Sequence, residues 1–460
     1  MHEPHPSSKA ADPGSRVPGL ITRHMLAQVL PREAEIEPSH FLFIASRGAL
    51  FWVWDQGNDH PTGPGGIAAY IDSLARGLMG LGDTIKLLAV VRADEKEQRG
   101  SLEGFEAWTV PFELALDRKP DNWLGRKATS FLEILRCLSP RCRRLLEKAS
   151  FFEASRVSSA RLEKILSAEK PTAVVFGHLD TDFYAMVLTL IERRIPYGII
   201  AHGAEIGRLP NDKKNEFVKR GVMLKGAEWI AANSHHTKML LENWGIASRK
   251  ITILHPPISE EVLQESAKFG PVSSTGGELG LVTICRLVRQ KGIDIVLRAL
   301  KILAARGIPF RYVIGGDGPE RTALEALVEE TGLRGKVHFQ GQVTGGVKCR
   351  MLRENDVFVM PSRGELEIQQ EGFGIAFMEA AAFGLPAIGS KTGGIPDAVV
   401  DGQTGILVPA ESPEALADAL TYLYQEPEIR KAMGSTARER ARRDFSPKAI
   451  AIRFRDAFTK

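Results

Sequence analysis

Two glutamates flank a glycine-containing turn in the segment Glu371-Gly-Phe-Gly-Ile-Ala-Phe-Met-Glu379, which follows Pro361-Ser-Arg363. The turn leads into an apolar, alanine-rich run. Glycine beside a helix start lets backbone N–H groups approach a ligand closely, and the helix N-terminus favours an anion. Carboxylates are poor ligands for phosphate, but they accept charge-assisted hydrogen bonds from hydroxyl groups. The pattern therefore predicts a site for a phosphate that carries sugars, although two glutamates at this spacing are also common without a function.

Two cations that precede this segment can bind the same phosphates. Arg286 and Lys291 lie five residues apart across a predicted strand-to-helix turn, so both can reach one diphosphate. Cations there would neutralise the charge of a departing nucleotide diphosphate. Gly65-Gly66, at the start of an earlier helix, offers further backbone N–H groups to a phosphate. The alternative interpretation of Arg286 and Lys291 is a pair of surface charges at a helix start.

The apolar pattern predicts strands that alternate with helices. Residues 40–46 form an apolar run, residues 66–78 carry one apolar helical face, and residues 85–91 form the next apolar run. A strand, a glycine loop, a helix and a strand make a βαβ unit, which implies a parallel sheet. Further strands are predicted in two series, at 173–176, 197–201, 229–232 and 251–254, then at 279–284, 310–314, 337–339, 357–360, 386–388 and 405–408. Polar residues at such strand ends, His178 among them, are candidate site residues because ligands of doubly wound sheets bind there.

The length of the chain favours two domains, because 460 residues exceed what one hydrophobic core usually supports. Residues 1–38 are polar and lack a sustained period, which predicts a flexible leader. Residues 259–278 are rich in Ser, Gly, Pro and charge. They are the predicted linker between a domain at 39–258 and a domain at 279–446.

Composition excludes several classes of protein. Sixty basic and 56 acidic residues give a net charge of +4, which does not indicate a nucleic-acid partner. No apolar run approaches the roughly 18 residues of a membrane span, and the N-terminus lacks the apolar core of a secretory signal. The four cysteines show neither zinc-like pairing nor a disulfide framework. The sequence therefore predicts a cytoplasmic protein with reduced thiols.

A predicted helical stretch at 118–168 interrupts the alternation and is basic. Between residues 126 and 164 there are ten Lys or Arg residues and four Glu residues, a local excess of +6. Such helices bind anionic membrane surfaces or anionic acceptors, so one interpretation is peripheral contact with the inner face of a membrane. The other interpretation is a solvated helical face.

Taken together, these motifs resemble a known family. Cys285-Arg286 with Lys291-Gly292, Gly315-Gly-Asp-Gly-Pro319, the pair Glu371 and Glu379, and Gly393-Gly394 occur in that order. The combination is similar to the retaining nucleotide-sugar glycosyltransferases of family 4, and the resemblance covers residues 40–460. It implies the α/β GT-B fold, in which two Rossmann-like, doubly wound domains face each other across a cleft. It also implies that residues 447–460 form a helix that returns from the nucleotide-sugar-binding domain to the acceptor-side domain.

The resemblance also implies roles for individual residues. Arg286 and Lys291 would bind the donor diphosphate, Glu379 the ribose hydroxyls and Glu371 the hydroxyls of the transferred sugar. His178 would lie beside the sugar and its anomeric carbon. The other residues implied to bind the donor are Gly66, Gly316, Val343, Gly372, Phe373, Gly374 and Ile375. Transfer in this family is as a rule metal-independent, so the resemblance implies no metal and no cofactor. The implied partners are the donor substrate, a nucleotide sugar, and a hydroxyl acceptor.

Two positions depart from the family pattern, since Cys285 stands where Gly is usual and Asp397 where Glu is common. Neither change removes a charge. The segment 363–371 resembles members that transfer hexoses, including mannose, to lipid-linked or small polyol acceptors. A non-catalytic nucleotide-sugar-binding protein and a GT-B sugar-nucleotide epimerase remain as alternatives. A dinucleotide-dependent oxidoreductase is disfavoured, because no Gly-x-Gly-x-x-Gly follows the first strand.

Overall fold

The computed structural model of the protein describes residues 40–46, 66–92, 98–102, 105–112, 162–206, 214–269, 277–364 and 370–459. These residues build two sheets covered by helices. The predicted leader and most of the basic stretch at 118–168 lie outside the described residues. Only the end of that stretch is described, and residues 162–169 are helical.

The first sheet has eight strands. They are β1 (His40–Ser46), β2 (Thr84–Arg92), β3 (Gln98–Leu102), β4 (Phe105–Phe112), β5 (Ala173–Phe176), β6 (Tyr197–Ala201), β7 (Trp229–Ala232) and β8 (Ile251–Ile253). Their order is β3-β4-β2-β1-β5-β6-β7-β8, and only the β3–β4 pair is antiparallel. The winding reverses between β1 and β5, so a ligand crevice is expected at the carboxyl ends of these two strands.

The second sheet has six strands, all parallel. They are β9 (Leu279–Ile284), β10 (Phe310–Gly315), β11 (Val337–Gly341), β12 (Val357–Met360), β13 (Ala387–Ser390) and β14 (Gly405–Val408). Their order is β11-β10-β9-β12-β13-β14, which is the order of dinucleotide-binding folds. The winding reverses between β9 and β12, and these strands carry the turns to Lys291 and Glu371.

Helices cover the sheets. Those that follow strands of the first sheet are α1 (Gly66–Met79), α2 (Tyr184–Arg193), α3 (Lys214–Gly226) and α4 (His235–Asn243). The next nine are α5 (Glu260–Ala267), α6 (Ile293–Ala305), α7 (Arg321–Glu330), α8 (Gly345–Arg353), α9 (Ile375–Ala382), α10 (Ile395–Ala398), α11 (Pro413–Gln425), α12 (Pro427–Asp444) and α13 (Pro447–Thr459). We call the first sheet with α1–α4 the N-terminal unit, and the second sheet with α5–α12 the C-terminal unit.

The last helix, α13, leaves the C-terminal unit and packs against α1. Phe454 is buried, and its ring contacts Phe41 and Phe43 at centroid distances of 5.6 and 6.1 Å and Trp229 at 5.2 Å. Gly77 of α1 lies so close to the start of α13 that an added Cβ would meet the Pro447 carbonyl oxygen at 2.3 Å. The C-terminal segment therefore completes the core of the N-terminal unit.

Most predicted strands are confirmed, because an apolar run bounded by polar or glycine residues is a strong signal for a buried strand. The strand pair β3 and β4 was not predicted. The predicted linker at 259–278 is partly helical, since α5 begins at the N-cap Ser259, whose side chain accepts a hydrogen bond from the Val262 N–H. Val262 is buried in the C-terminal unit. Among the described helices, none is both long and apolar enough to cross a membrane.

Removal of the Phe454 ring is expected to destabilise the N-terminal unit. Phe454→Ala leaves a cavity among three aromatic rings, which should lower the free energy of unfolding by about 3–5 kcal/mol. Urea unfolding followed by tryptophan fluorescence measures this change. Ile452→Ala on the same helix is the matched control, because Ile452 is 44% exposed. Equal effects of the two substitutions would contradict the packing of α13.

Candidate functional site

The predicted cations and carboxylates meet at the reversal point of the second sheet. The turn from Cys285 to Lys291 follows β9, and the segment that begins at Pro361 and leads to Glu371 follows β12. Because β9 and β12 are neighbouring parallel strands, both segments leave the same edge of the sheet. The topology thus brings together residues that are 80 positions apart.

Lys291 and Glu371 form an ion pair between the Lys291 Nζ and a carboxylate oxygen of Glu371. Their side chains are only 20% and 15% exposed. Burial by itself lowers the pKa of Lys291, but the charge of Glu371 and its hydrogen bond outweigh that effect and raise the pKa. Lys291 is therefore a cation, held beside the Glu371 carboxylate.

Arg363, the last residue of the Pro361-Ser-Arg segment, supports the turn that carries Lys291. Its guanidinium donates to both carboxylate oxygens of Asp294 at 2.8 and 2.7 Å and to the Arg289 carbonyl oxygen at 2.8 Å. A backbone hydrogen bond from the Arg363 N–H to the Gln290 carbonyl oxygen adds a further link. The loop after β12 thus fixes the short 3-10 turn Arg289–Lys291.

The Arg286 turn lies against the glycine loop after β10. The Cys285 N–H donates to the Gly315 carbonyl oxygen at 3.0 Å, and the Leu287 N–H donates to that of Asp317 at 2.9 Å. Gly316 has a φ of 132°, and an added Cβ would meet the Cys285 carbonyl oxygen at 1.8 Å. The Arg286 side chain is exposed, and no ion pair joins it to any other described residue. It is therefore open to an anionic ligand.

Glu379 is paired with a lysine that the sequence did not indicate. The Lys348 Nζ of α8 lies 2.6 Å from the Glu379 Oε1 of α9, and the two side chains are 21% and 15% exposed. Burial alone lowers the pKa of Lys348, but Glu379 outweighs this effect and raises it. Each glutamate of the motif thus has its own lysine partner. Val343, just before α8, packs close to Gly315.

The start of α9 shapes the segment between the two glutamates. Gly374 occupies the N-cap position with a φ of 91°, and no side chain caps the helix there. The first N–H groups of a helix lack intrahelical partners, so Ile375 begins a helix that can bind an anion. Phe373 is buried and packs against His255 and Phe445 at centroid distances of 5.2 and 5.8 Å.

The Glu371 turn touches the N-terminal unit. A Cβ added to Gly372 would lie 2.0 Å from the His202 carbonyl oxygen, which also accepts a hydrogen bond from the Asn233 Nδ2 at 2.9 Å. His202 and Asn233 follow β6 and β7, so the carboxyl edges of the two sheets face each other here. The turn that carries Glu371 therefore contacts both units.

His178 and Gly66 are the predicted site residues of the N-terminal unit. His178 follows β5 and is buried; its Nε2 lies 3.6 Å from the Asp180 Oδ2, and its ring contacts Phe183. Its Nδ1 has no hydrogen-bond partner among the described residues. Gly66 is the first residue of α1. Both residues thus belong to the reversal point of the first sheet, whereas their described contacts do not reach the Lys291–Glu371 pair.

The Cys285 thiol beside the site is unsuited to nucleophilic chemistry. Burial raises the pKa of the Cys285 thiol to about 12, so this thiol is protonated at neutral pH. Burial also lowers the pKa of His202, whose Nε2 lies 2.8 Å from the Gly177 carbonyl oxygen. The described site therefore offers cations, carboxylates that can accept hydrogen bonds from hydroxyl groups, and backbone N–H groups.

Two family models match the chain and together span most of it. Residues 268–440 match the family Glycosyl transferases group 1, and residues 64–262 match Glycosyltransferase Family 4. The chain belongs to the group 1 glycosyltransferases of family 4. The predicted family is confirmed.

The curated relatives are similar over part of their length. The chain is 33% identical over 180 residues to a putative colanic acid biosynthesis glycosyltransferase of Salmonella typhimurium, which covers 39% of this chain and 44% of the relative. It is 36% identical over 164 residues to a GDP-mannose-dependent alpha-(1-6)-phosphatidylinositol monomannoside mannosyltransferase of Mycobacterium tuberculosis, which covers 35% of this chain and 42% of the relative. The chain thus spans less than half the length of these two relatives.

Solved structures share the fold across nearly the whole chain. Sucrose-phosphate synthase from Thermosynechococcus elongatus has a TM-score of 0.63 at 19% identity, covering 91% of this chain and 98% of that one. Anabaena HepE, in complex with UDP and glucose, has a TM-score of 0.59 at 14% identity, covering 92% of this chain and 100% of that one. The predicted GT-B fold, with two Rossmann-like domains and a returning helix, is confirmed.

Gly372→Ala should force the two units apart at the Glu371 turn. The added methyl group would overlap the His202 carbonyl oxygen, so we expect the free energy of unfolding to fall by about 1–3 kcal/mol. Differential scanning calorimetry measures the change. The control is Gly346→Ala, since nothing lies within 4 Å of a Cβ at that position. An unchanged transition in the Gly372→Ala variant would contradict the close approach of the units.

Proposed function

We propose that this protein transfers a hexose from a nucleotide-diphosphate sugar to a hydroxyl acceptor. The observation that carries the proposal is the partly buried Lys291–Glu371 pair, which sets a cation beside a carboxylate that can accept hydrogen bonds from hydroxyl groups, close to where the two units meet. Membership of the glycosyltransferase family supports the same activity. The donor side comprises Arg286 and Lys291 for the diphosphate, Glu371 for the transferred sugar and Glu379 for the ribose.

The reaction we propose is retaining and metal-independent. The acceptor oxygen attacks the anomeric carbon on the face from which the diphosphate departs, and a phosphate oxygen takes the acceptor proton. Arg286 and Lys291 supply the positive charge that offsets the developing charge on the leaving group. The free N–H groups at the start of α9 act in the same direction. His178, at the reversal point of the first sheet, is the proposed contact of the N-terminal unit with the sugar.

GDP-mannose or a UDP-hexose is the proposed donor, and a lipid or glycan precursor is the proposed acceptor. One relative is named as GDP-mannose-dependent, and another is named for colanic acid biosynthesis. The test is a screen of GDP-, UDP- and ADP-sugars for slow hydrolysis and for binding by calorimetry. Hydrolysis of one donor with retention of anomeric configuration is the expected result. Binding without turnover, with or without acceptors, would favour a non-catalytic sensor, and epimerised donor would favour the epimerase.

Substitutions of the ion pair should reduce transfer strongly. Lys291→Ala removes the phosphate cation and Glu371→Ala the sugar ligand, so kcat/KM with the donor found in the screen should fall by at least about tenfold for each. Thermal unfolding is measured alongside, and Glu371→Gln is added because it preserves shape and hydrogen bonding. The matched control is Arg334→Ala, which removes an exposed ion pair with Glu329. Unchanged turnover in either site variant would contradict the assignment.

Glu379 is expected to bind the ribose hydroxyls through hydrogen bonds. Wild-type protein should bind the nucleoside diphosphate more tightly than its 2′,3′-dideoxy analogue, by about tenfold or more, because hydrogen bonds to a charged group contribute about 1.5–3 kcal/mol. Glu379→Gln should lose most of this preference, and titration calorimetry measures both affinities. Retention of the full preference in the variant would assign the ribose to another residue.

We also propose that the protein lies in the cytoplasm. Its basic stretch at 118–168 would contact an anionic membrane peripherally. Binding to anionic liposomes that weakens at high salt would support that contact. Equal, salt-insensitive binding to neutral and anionic liposomes would contradict it.

A further inference from the structure

Three potential metal ligands from three elements converge where the two units meet. His235 begins α4 and His255 follows β8 in the N-terminal unit, whereas Asp397 lies on α10 of the C-terminal unit. The Asp397 Oδ1 lies 2.5 Å from the His235 Nδ1 and 3.0 Å from the His255 Nε2. All three ligand atoms lie within 4.8 Å of one another.

We propose that His235, His255 and Asp397 bind a divalent transition metal ion of the zinc class, which clasps the two units together. Two imidazole nitrogens and one carboxylate oxygen suit zinc and its first-row neighbours. Calcium and magnesium prefer oxygen ligands throughout, so this cluster discriminates against them. With three protein ligands, the site retains an open position for water.

The surroundings hold two of the ligands in place. The His255 ring packs against the rings of Phe373 and Phe445, with centroid distances of 5.2 and 5.5 Å. Arg440 donates to the backbone carbonyl oxygens of Asp397 and Ala398 at 2.6 and 2.7 Å. These hydrogen bonds fix α10 through its backbone and do not occupy the Asp397 carboxylate oxygens. Outer contacts of this kind orient metal ligands.

Access to the cluster comes through His235. Its side chain is 73% exposed, whereas those of His255 and Asp397 are 18% and 6% exposed. An ion can therefore enter from solvent and find two nearly buried ligands already aligned. Water can occupy the remaining position on the exposed side.

The same contacts also allow a metal-free hydrogen-bonded latch. In that state both imidazoles donate to the Asp397 Oδ1, and the His235 backbone N–H, 3.3 Å from each carboxylate oxygen, donates as well. Arg440 and the N-terminus of α4 place positive charge near the Asp397 carboxylate in either state. Metal binding would have to displace the two ring protons, because a ligating nitrogen presents its lone pair. The experiments below therefore distinguish a metal-bound cluster from this metal-free, hydrogen-bonded cluster.

The proposed metal site does not include Lys291 or Glu371. It is therefore separate from the proposed donor site. It is nevertheless connected to the Glu371 turn, because the Gly394 N–H donates to the Glu371 carbonyl oxygen at 2.8 Å and the Asp397 N–H donates to that of Gly394 at 3.1 Å. A metal at the clasp would therefore stabilise the contact between Gly372 and the N-terminal unit without taking part in the transfer.

The test is metal binding by the full-length, tag-free protein after treatment with EDTA. Titration with Co²⁺ is followed by visible absorption, and equilibrium dialysis with Zn²⁺ measures stoichiometry. Wild-type protein should bind one more equivalent of Zn²⁺ than His235→Ala or Asp397→Asn, and it should show the absorption of ligand-bound Co²⁺ that these two variants lack. His236→Ala, which alters the adjacent histidine of α4, is the matched control and should bind as the wild type does.

Thermal unfolding provides an independent readout. Zn²⁺ should raise the unfolding temperature of the wild type and of His236→Ala but not that of His235→Gln, whose amide retains a hydrogen-bond donor. His235 is mostly exposed, so its substitution is compatible with folding. The proposal is wrong if the His235 variants bind as many equivalents of Zn²⁺ as the wild type, or if the wild type binds none. Either result leaves a hydrogen-bonded latch.

Discussion

The partly buried ion pair between Lys291 and Glu371 joins the two loops at the reversal point of the second sheet. Each side chain is largely withdrawn from water, and a charge in that position is strongly unfavourable unless an opposite charge lies beside it. The turn after β9 and the segment after β12 must therefore meet, and they can do so because β9 and β12 are adjacent parallel strands. Arg363 and Asp294 add a second ion pair that supports the same turn.

The Glu371 turn also determines how the units approach each other. Gly372 lies against the His202 carbonyl oxygen, and any side chain at that position would separate them. Phe373, the next residue, packs against His255 of the N-terminal unit. If Glu371 binds the donor as we propose, the donor would lie at the boundary of the two units. The return of α13 to α1 links the units a second time.

The fold was largely predictable because most strands are short apolar runs with clear ends. The runs at 173–176, 229–232 and 357–360 match β5, β7 and β12 residue for residue. The strands β3 and β4 were missed, and β3 (Gln98–Leu102) is mostly polar, so it carries no apolar run. Helix α5 was missed within the predicted linker, because polar composition outweighed the N-cap Ser259 and the single buried apolar residue of the helix, Val262.

By itself, the sequence determined which residues are candidates for the site: two cations near a turn, two glutamates around a glycine segment and a histidine after a strand. Their partners were decided only by the tertiary structure. Lys348 pairs with Glu379 across 31 positions, Lys291 with Glu371 across 80, and His235 with Asp397 across 162. Local patterns specify strands and helices, because hydrophobic periodicity acts over a few residues. Contacts between distant residues depend on the order of strands in each sheet and on how the two sheets face each other, and no local pattern encodes either.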